Sequence, residues 1–145
     1  MKPKEFLFSD TPLALRNGIA LVRIVVGLLM LYHGLEVFDR NQMHEYATWE
    51  TFGGPSGFFM VYVGKSAEFL AGLLLTLGLA TRIASLLLIG SLGYITFFVG
   101  NGRFWYEDQH PFLFVLFGVL FLLTGPGSWS LDGKLSPAGK YEGKR

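Results

Sequence analysis

Four blocks of apolar residues run through the chain and are separated by short polar segments. The blocks extend over residues 18–38, 57–80, 83–99 and 111–124. The first three are as long as a membrane-spanning helix, which needs roughly 17–25 residues. The fourth reaches that length only when the preceding aromatic run, Phe104–Trp105–Tyr106, is included. The pattern predicts four spans, over about 18–38, 57–80, 83–100 and 106–126.

The alternative to a membrane protein is a soluble helical bundle with a buried core. The third block contains no charged residue, so a helix there would show no polar face to water. Charged residues make up 16% of the chain, against roughly 25% in an average soluble protein. The sequence therefore predicts a single all-α domain, an integral membrane four-helix bundle in contact with the lipid bilayer.

Lys and Arg residues are distributed unevenly between the two predicted sides of the membrane. One side carries eight of them: Lys2, Lys4, Arg16, Arg82, Lys134, Lys140, Lys144 and Arg145. The other side carries only Arg40 and Arg103. Because basic residues are retained in the cytoplasm, both termini are predicted to be cytoplasmic. The polar tail 133–145 then lies on the cytoplasmic side, and loops 39–56 and 100–110 face outward.

The first outer loop has an apolar or aromatic residue at every third position. These residues are Met43, Tyr46, Trp49 and Phe52. The spacing predicts a short interfacial helix over residues 41–52, with Asn41 as its N-cap and Gly53-Gly54-Pro55 as its end.

Glycines within the apolar blocks favour close packing between helices in lipid. The positions concerned are Gly27, Gly34, Gly64, Gly72, Gly78, Gly90, Gly93 and Gly118.

Composition excludes several classes of function. The chain has no cysteine, which removes disulfides, thiolate nucleophiles, cysteine zinc sites and iron–sulfur clusters. Its net charge of +1 gives no electrostatic reason to expect nucleic acid as a partner. Any redox function would therefore depend on a bound cofactor.

Ionisable residues inside the predicted spans are the main functional signal, because a charge within a bilayer is costly. His33 and Glu36 lie in the outer part of span one, and Lys65 and Glu68 lie in span two. Residues three apart share a helix face, and helical side chains lean toward their own N-terminus. The two pairs therefore converge on one depth, near the outer end of span four.

Span four opens on that same side with Glu107, Asp108, Gln109 and His110. The predicted pocket residues are His33, Glu36, Lys65, Glu68, Gln109 and His110. Two interpretations remain open. Either the charges are paired and hold the helices in register, or they form a pocket for a polar headgroup, a quinone or a proton path.

Two arginines lie toward the cytoplasmic side. Arg23, near the inner end of span one, is predicted either to extend to lipid phosphates or to pair with another span. Arg82, at the turn between spans two and three, is assigned the same two roles, lipid-phosphate contact or a structural role. The His33–Glu36 pair has metal-ligand spacing, but the Glu-x-x-His order of di-iron bundles is absent, so no tightly bound metal is expected.

Several short motifs follow one another in a recognisable order. They are Arg23 followed by His33-Gly34, then Glu68-x-x-x-Gly72, Gly78-Leu79-x-Thr81-Arg82, and Gly125-Pro126-Gly127-x-x-Ser130-Leu131-Asp132. With this order and topology the chain, from about residue 16 to residue 135, resembles the DoxX family of small bacterial membrane proteins. Family members often carry a glutamate two residues before the proline that opens span four, a position held here by Gln109.

The resemblance implies a multi-pass protein of the bacterial inner membrane. The DoxX name is associated with the membrane part of a thiosulfate:quinone oxidoreductase, and other relatives resemble membrane anchors of oxidoreductase complexes. We therefore expect an accessory or quinone-interacting subunit that receives electrons from a partner protein and could form a homo-oligomer. The alternatives are a non-enzymatic scaffold, lipid-binding or assembly-helper protein, and a small transporter or proton path.

Overall fold

The computed structural model describes residue 9 and residues 11–136. The start of the predicted cytoplasmic arm and the tail from residue 137 onward lie outside the described residues. Five of the eight basic residues on the predicted cytoplasmic side lie there too, so the orientation stays a prediction.

The described part of the chain is built from helices, which confirms the all-α prediction. The α-helices are α1 (Leu15–Gly34), α2 (Arg40–Ala47), α3 (Gly57–Leu77), α4 (Thr81–Tyr94), α5 (Gln109–Thr124) and α6 (Leu131–Leu135). The described residues also form two 3-10 turns, Leu35–Phe38 and Glu50–Phe52, and one π turn, Ile95–Val99.

Within residues 11–136, three helices are long and apolar enough to cross a membrane: α1 with its 3-10 turn, α3, and α4 with its π turn. The fourth apolar helix, α5, has 16 residues. It is therefore only about 24 Å long, against roughly 30 Å for the hydrocarbon core of a bilayer. The helix is shorter than the predicted span 106–126, because residues 104–108, which include the aromatic run, form turns and not helix. The Asp108 carboxylate accepts hydrogen bonds from the backbone N–H groups of Asn101 (3.1 Å) and Arg103 (2.9 Å), which folds this segment into a loop.

Glycines allow α1 and α3 to pack backbone against backbone. A Cβ atom added at Gly34 would overlap the backbone of Phe69, and one added at Gly72 would overlap the backbone of Leu31. At Gly27 the added atom would lie 2.5 Å from the backbone nitrogen of Thr76. At these positions the predicted packing role of the glycines is confirmed.

Other glycines of the predicted set have no such neighbour. A Cβ atom added at Gly64 or Gly90 meets nothing within 4 Å. At Gly93 the nearest side-chain atom, on Val115, is 4.0 Å away. The packing prediction was therefore wrong at these three sites.

All four long helices contribute to one apolar core. Its buried members are Val26, Met30, Ala71, Leu75, Ala84, Leu88, Leu92, Phe114 and Phe121. Many large apolar side chains on the outer faces of the same helices are exposed, among them Leu28 and Leu123. An apolar exterior of this kind fits a bundle surrounded by lipid.

One end of the bundle, here called the termini end, is closed by residues 125–135, the C-terminal strap. After α5 the strap returns across the start of α1, where the Ser128 N–H donates to the Arg16 carbonyl (3.0 Å). It then reaches the end of α3, where the Asp132 N–H donates to the Gly78 carbonyl (2.9 Å). The strap thus joins helices that are far apart in sequence.

The opposite, loop end contains α2, which differs from the predicted interfacial helix in both its bounds and its cap. Helix α2 covers Arg40–Ala47, and a separate 3-10 turn follows at Glu50–Phe52. Asp39, not Asn41, is the N-cap, since its carboxylate accepts from the backbone N–H groups of residues 41 and 42. Because Met43 is fully buried, one face of α2 packs on the bundle.

Candidate functional site

Polar side chains from three helices meet at a cavity near the loop end, here called the loop-end pocket. Its volume is about 150 Å³. The lining residues are Met30, His33, Lys65, Glu68, Leu92, Ile95, His110, Pro111 and Phe114. The wall is thus mainly apolar, with two imidazoles, one ammonium and one carboxylate directed at the same space.

Lys65 is the centre of a chain of charges beside the pocket. Its Nζ lies 2.8 Å from Glu36 Oε2 and 3.0 Å from Glu68 Oε2. Exposure of the side chains falls along the chain, from 30% for Glu36 through 15% for Lys65 to 3% for Glu68. One ammonium is therefore shared by two carboxylates, and the deeper of these carboxylates has almost no access to solvent.

Tyr46 connects helix α2 to these charges. Its hydroxyl donates to Glu36 Oε2 at 2.8 Å, and Lys65 Nζ lies 5.1 Å from the centre of its ring, within cation–π range. Burial, followed by the hydrogen bond to the Glu36 carboxylate, raises the pKa of Tyr46 to about 12. The spacing of the loop residues predicted an interfacial position for Tyr46 and did not indicate this role. One signal in the sequence could have indicated it: Tyr46 follows the apolar Met43 by three residues, so the two side chains share a helix face.

The two histidines of the pocket lie on facing helices. The ring centroids of His33 on α1 and His110 on α5 are 5.9 Å apart in an edge-to-face arrangement. His33 is half-buried and interacts electrostatically with Glu36 and Glu68, whereas His110 is exposed. The third histidine, His44, lies outside the pocket, with its ring 5.1 Å from that of Phe58.

Gln109 does not join the pocket, although it was predicted there. Its Nε2 donates to the Trp105 carbonyl at 2.5 Å, in the turn that precedes α5. The neighbouring acidic residues are also used locally, because Glu107 is paired with Arg103 at 3.0 Å and Asp108 accepts from loop amides. Gln109, Glu107 and Asp108 therefore form hydrogen bonds and an ion pair within the loop before α5, and none of them lines the cavity.

The structure thus brings together His33, Glu36, Lys65, Glu68 and His110, which were predicted to converge. Their convergence follows from helix geometry, but a binding role for them stays a prediction. Among residues 9 and 11–136, no three His, Asp or Glu side chains are grouped in a way that could hold a metal ion.

Arg23 lies at the termini end and is fully buried, with 0% exposure. Its Nε donates to the Pro126 carbonyl (2.8 Å) and its Nη2 to the Trp129 carbonyl (3.0 Å). Its Nη1 donates to the Leu75 carbonyl at the end of α3. Of the two predicted roles, contact with lipid phosphates is wrong, because no part of the side chain is accessible. Arg23 instead holds the C-terminal strap against α1 and α3.

Asp132 complements Arg23 from within the strap. Its two carboxylate oxygens accept from the backbone N–H groups of Ala80 (2.7 Å) and Thr81 (2.8 Å), at the start of α4. Burial raises the pKa of this carboxyl. These amide hydrogen bonds and the nearby charge of Arg23 outweigh that effect, so the pKa lies below its usual value. Arg82 next to this site is exposed, and its role stays a prediction.

The fold and the pocket define an α-helical membrane protein with an ionisable cavity near one end of its bundle. The DoxX family model matches residues 18–101, which include α3, α4 and all of α1 except its first three residues. The chain belongs to the DoxX family, as the order of its motifs indicated.

Curated relatives cover most of the chain. An uncharacterised membrane protein of Mycobacterium tuberculosis is 33% identical in an alignment of length 133 that covers 82% of this chain and 82% of the relative. A Bacillus subtilis protein named "Putative oxidoreductase CatD" is 34% identical in an alignment of length 125 that covers 79% of this chain and 84% of the relative. An uncharacterised Haemophilus influenzae protein is 31% identical in an alignment of length 124 that covers 80% of this chain and 89% of the relative. No solved structure matches the chain.

Proposed function

We propose that this protein is an accessory subunit of a membrane oxidoreductase system and that it binds a quinone in the loop-end pocket. The observation that carries the proposal is the convergence of His33, Lys65, Glu68 and His110 on one mainly apolar cavity. A quinone headgroup has an apolar ring with oxygens on opposite edges. It therefore needs this combination of apolar wall and separated polar groups.

The size of the cavity limits which part of such a ligand it can hold. Pockets for drug-sized ligands have volumes of roughly 300–1,000 Å³. A cavity of about 150 Å³ accommodates a single ring, so the chain of an amphiphile would extend outside it into the lipid. Lys65 would donate to one quinone oxygen, and His33 or His110 would donate to the other.

Electrons would come from a partner protein. The chain has no cysteine, and therefore no thiol couple or cysteine-held iron–sulfur cluster of its own. The relative from Bacillus subtilis is named as an oxidoreductase, which supports a redox context for the family. We place the protein in the bacterial inner membrane with both termini in the cytoplasm, in agreement with the distribution of basic residues.

A non-enzymatic scaffold is the second candidate, and one observation favours it. Lys65 is already paired with both Glu36 and Glu68, and Arg23 is satisfied by backbone carbonyls. Groups paired in this way can hold helices in register without any ligand.

The test is mass spectrometry of small molecules extracted from protein purified in mild detergent. We expect a quinone at about one molecule per chain in the wild type. We expect its loss in Glu68→Gln, because the Glu68 carboxylate holds the Lys65 ammonium at the pocket. Glu45→Gln is the matched control, since Glu45 is exposed on α2 and lies outside the lining of the pocket.

Two results would contradict the proposal. One is the recovery of only bulk phospholipid, in equal amounts from the wild type and Glu68→Gln. The other is a quinone that both glutamate variants retain equally. The first result would leave the charges as structural pairs and favour the scaffold. The second would place the quinone outside the loop-end pocket.

A further inference from the structure

The loop-end pocket contains an imbalance of charge that its pairing does not remove. Lys65 supplies one positive charge, and Glu36 and Glu68 together supply two negative charges. If all three groups are ionised, one net negative charge remains among apolar helices, where an uncompensated charge is expensive. A proton bound within the cluster would remove that charge.

The surroundings of the two carboxylates differ. Glu36 accepts from the Tyr46 hydroxyl as well as from Lys65, so it has two donors to stabilise its ionised form. Glu68 has Lys65 as its hydrogen-bond donor and is almost wholly buried. Burying the ionised carboxylate therefore costs more free energy at Glu68 than at Glu36, and binding a proton at Glu68 removes more of that cost.

A route connects Glu68 with the loop end of the bundle. Solvent access rises from Glu68, which lies against the cavity, through the half-buried His33 to the exposed His110. The two imidazole rings are 5.9 Å apart. A water molecule takes up about 30 Å³, so the cavity between these groups has room for the few waters needed to connect them.

We infer that Glu68 exchanges a proton with the loop end of the bundle through His110 and His33. Each imidazole accepts the proton at one ring nitrogen and releases a proton from the other, so it ends neutral. The net event is the transfer of one proton from water at the loop end to the Glu68 carboxylate, or the reverse, without transfer of electrons.

The ionisable groups that face Glu68 come from every helix around the pocket except α4. They are His33 on α1, Glu36 in the 3-10 turn that follows α1, Lys65 on α3, Tyr46 on α2 and His110 on α5. Helix α4 contributes the apolar side chains Leu92 and Ile95. A pocket of this kind would serve a ligand that takes up protons when it is reduced, but the inference does not depend on which ligand binds.

Infrared difference spectroscopy between neutral and alkaline pH, a range in which exposed carboxyl groups stay ionised, tests whether Glu68 holds a proton. The protein is purified in detergent without added quinone. We expect the wild type to show the carbonyl band of a protonated carboxyl group, and Glu68→Gln to lack that band. Glu68→Asp is expected to keep a band at a shifted position, and Glu107→Gln, an exposed control, to leave the band unchanged. Size-exclusion chromatography identifies any variant that has not folded.

Exchange of the same band after transfer to heavy water tests the route. His110→Leu is expected to slow the exchange about a hundredfold, the lower limit of what a positioned proton-transfer group commonly contributes. His44→Leu, which changes the histidine outside the pocket, is expected to have no effect.

A band that persists unchanged in Glu68→Gln would overturn the assignment of the site. Exchange in His110→Leu at the wild-type rate would overturn the route. Protein that shows the band but yields no quinone would overturn the proposed quinone function and support this inference, so the two failures are distinguishable.

Discussion

At the residue scale, Arg23 shows how the bundle accommodates a buried cation through backbone oxygens. Its guanidinium donates to carbonyls at the end of α3 and in the C-terminal strap. Arginine suits such a site because its planar fork presents five N–H donors in fixed directions. The cation therefore satisfies carbonyls that would otherwise lie buried without a partner.

We expect Arg23→Gln to destabilise the protein strongly. The shorter amide cannot reach both α3 and the strap, so several buried carbonyls lose their donor at a total cost of about 3 kcal/mol or more. Thermal unfolding in detergent, followed by circular dichroism, measures the change. Arg82→Gln is the control, because Arg82 is exposed and its loss should change the unfolding temperature little. Equal unfolding temperatures for the two variants would contradict the structural role of Arg23.

The sequence predicts the depth of Arg23 but not its partners. The acceptors belong to backbone segments 52 and 103 residues away, and a backbone carbonyl has no side-chain signature. In contrast, the convergence of His33, Glu36, Lys65 and Glu68 could be predicted, because helical spacing and side-chain lean determine it. The contact of Tyr46 with Glu36 was not predicted. It depends on how α2 packs against the bundle, and the sequence of α2 alone does not show that packing.

At the element scale, the close approach of α1 and α3 depends on small residues at particular positions. Gly34 and Gly72 lie where the two backbones leave no space for a side chain. Residue type alone does not reveal this, because Gly64 lies on the same helix as Gly72 and faces open space. The structure therefore separates glycines that the sequence treats alike.

We predict that Gly72→Ala destabilises the protein by about 1–3 kcal/mol or more, because the added methyl group would overlap the backbone of α1. Gly64→Ala is the matched control. It introduces the same atom into open space and should leave stability unchanged or slightly higher, since alanine favours helix. Unfolding in detergent followed by tryptophan fluorescence compares the two variants. A loss of stability in Gly64→Ala as large as in Gly72→Ala would contradict this packing.

The contact of Asp132 with the start of α4 predicts a dependence of stability on pH. Since the pKa of Asp132 is lowered in the folded protein, its contribution is complete above the ordinary aspartate pKa of about 3.9. That contribution is lost as the pH falls through the lower folded value. We expect unfolding temperatures measured from pH 7 downward to fall in acid less steeply in Asp132→Asn than in the wild type.

At neutral pH, Asp132→Asn should also cost about 1 kcal/mol, because the amide places an N–H group against one of the two backbone donors. Glu107→Gln controls for the general loss of a carboxylate, since Glu107 lies in an exposed ion pair at the loop end. If Asp132→Asn and the wild type lost stability in parallel on acidification, the contact with α4 would have no role in the pH response.

At the scale of the whole molecule, the apolar blocks were sufficient to predict the helical architecture and the order of its long helices. The boundaries of α5 and α2 were not predictable to the residue, because local acceptors set them. Asp108 folds the approach to α5 into a loop, and Asp39 displaces Asn41 as the cap of α2. Several neighbouring residues can cap the same helix end, and the periodicity of apolar residues does not show which of them does so.

The predicted orientation can be tested cleanly because the chain has no cysteine of its own. We expect Thr48→Cys, at the loop end, to react with a membrane-impermeant maleimide in spheroplasts. Lys134→Cys, in the strap, should react only after the membrane is permeabilised. The opposite pattern of labelling would show that both termini are extracytoplasmic.

The contacts of Arg23 also have a consequence for biosynthesis. Pro126 leaves the ribosome 103 residues after Arg23, a delay of about 5–20 s at usual rates of translation. Throughout that interval the acceptors of the strap are missing, and the carbonyls at the end of α3 become available only about halfway through it. The first helix therefore has to lie at a depth where water or lipid headgroups solvate the guanidinium. It reaches its final position only after the strap has been synthesised. A nascent chain that stops before the strap would keep this unsatisfied charge in the membrane, a defect that quality-control proteases can recognise.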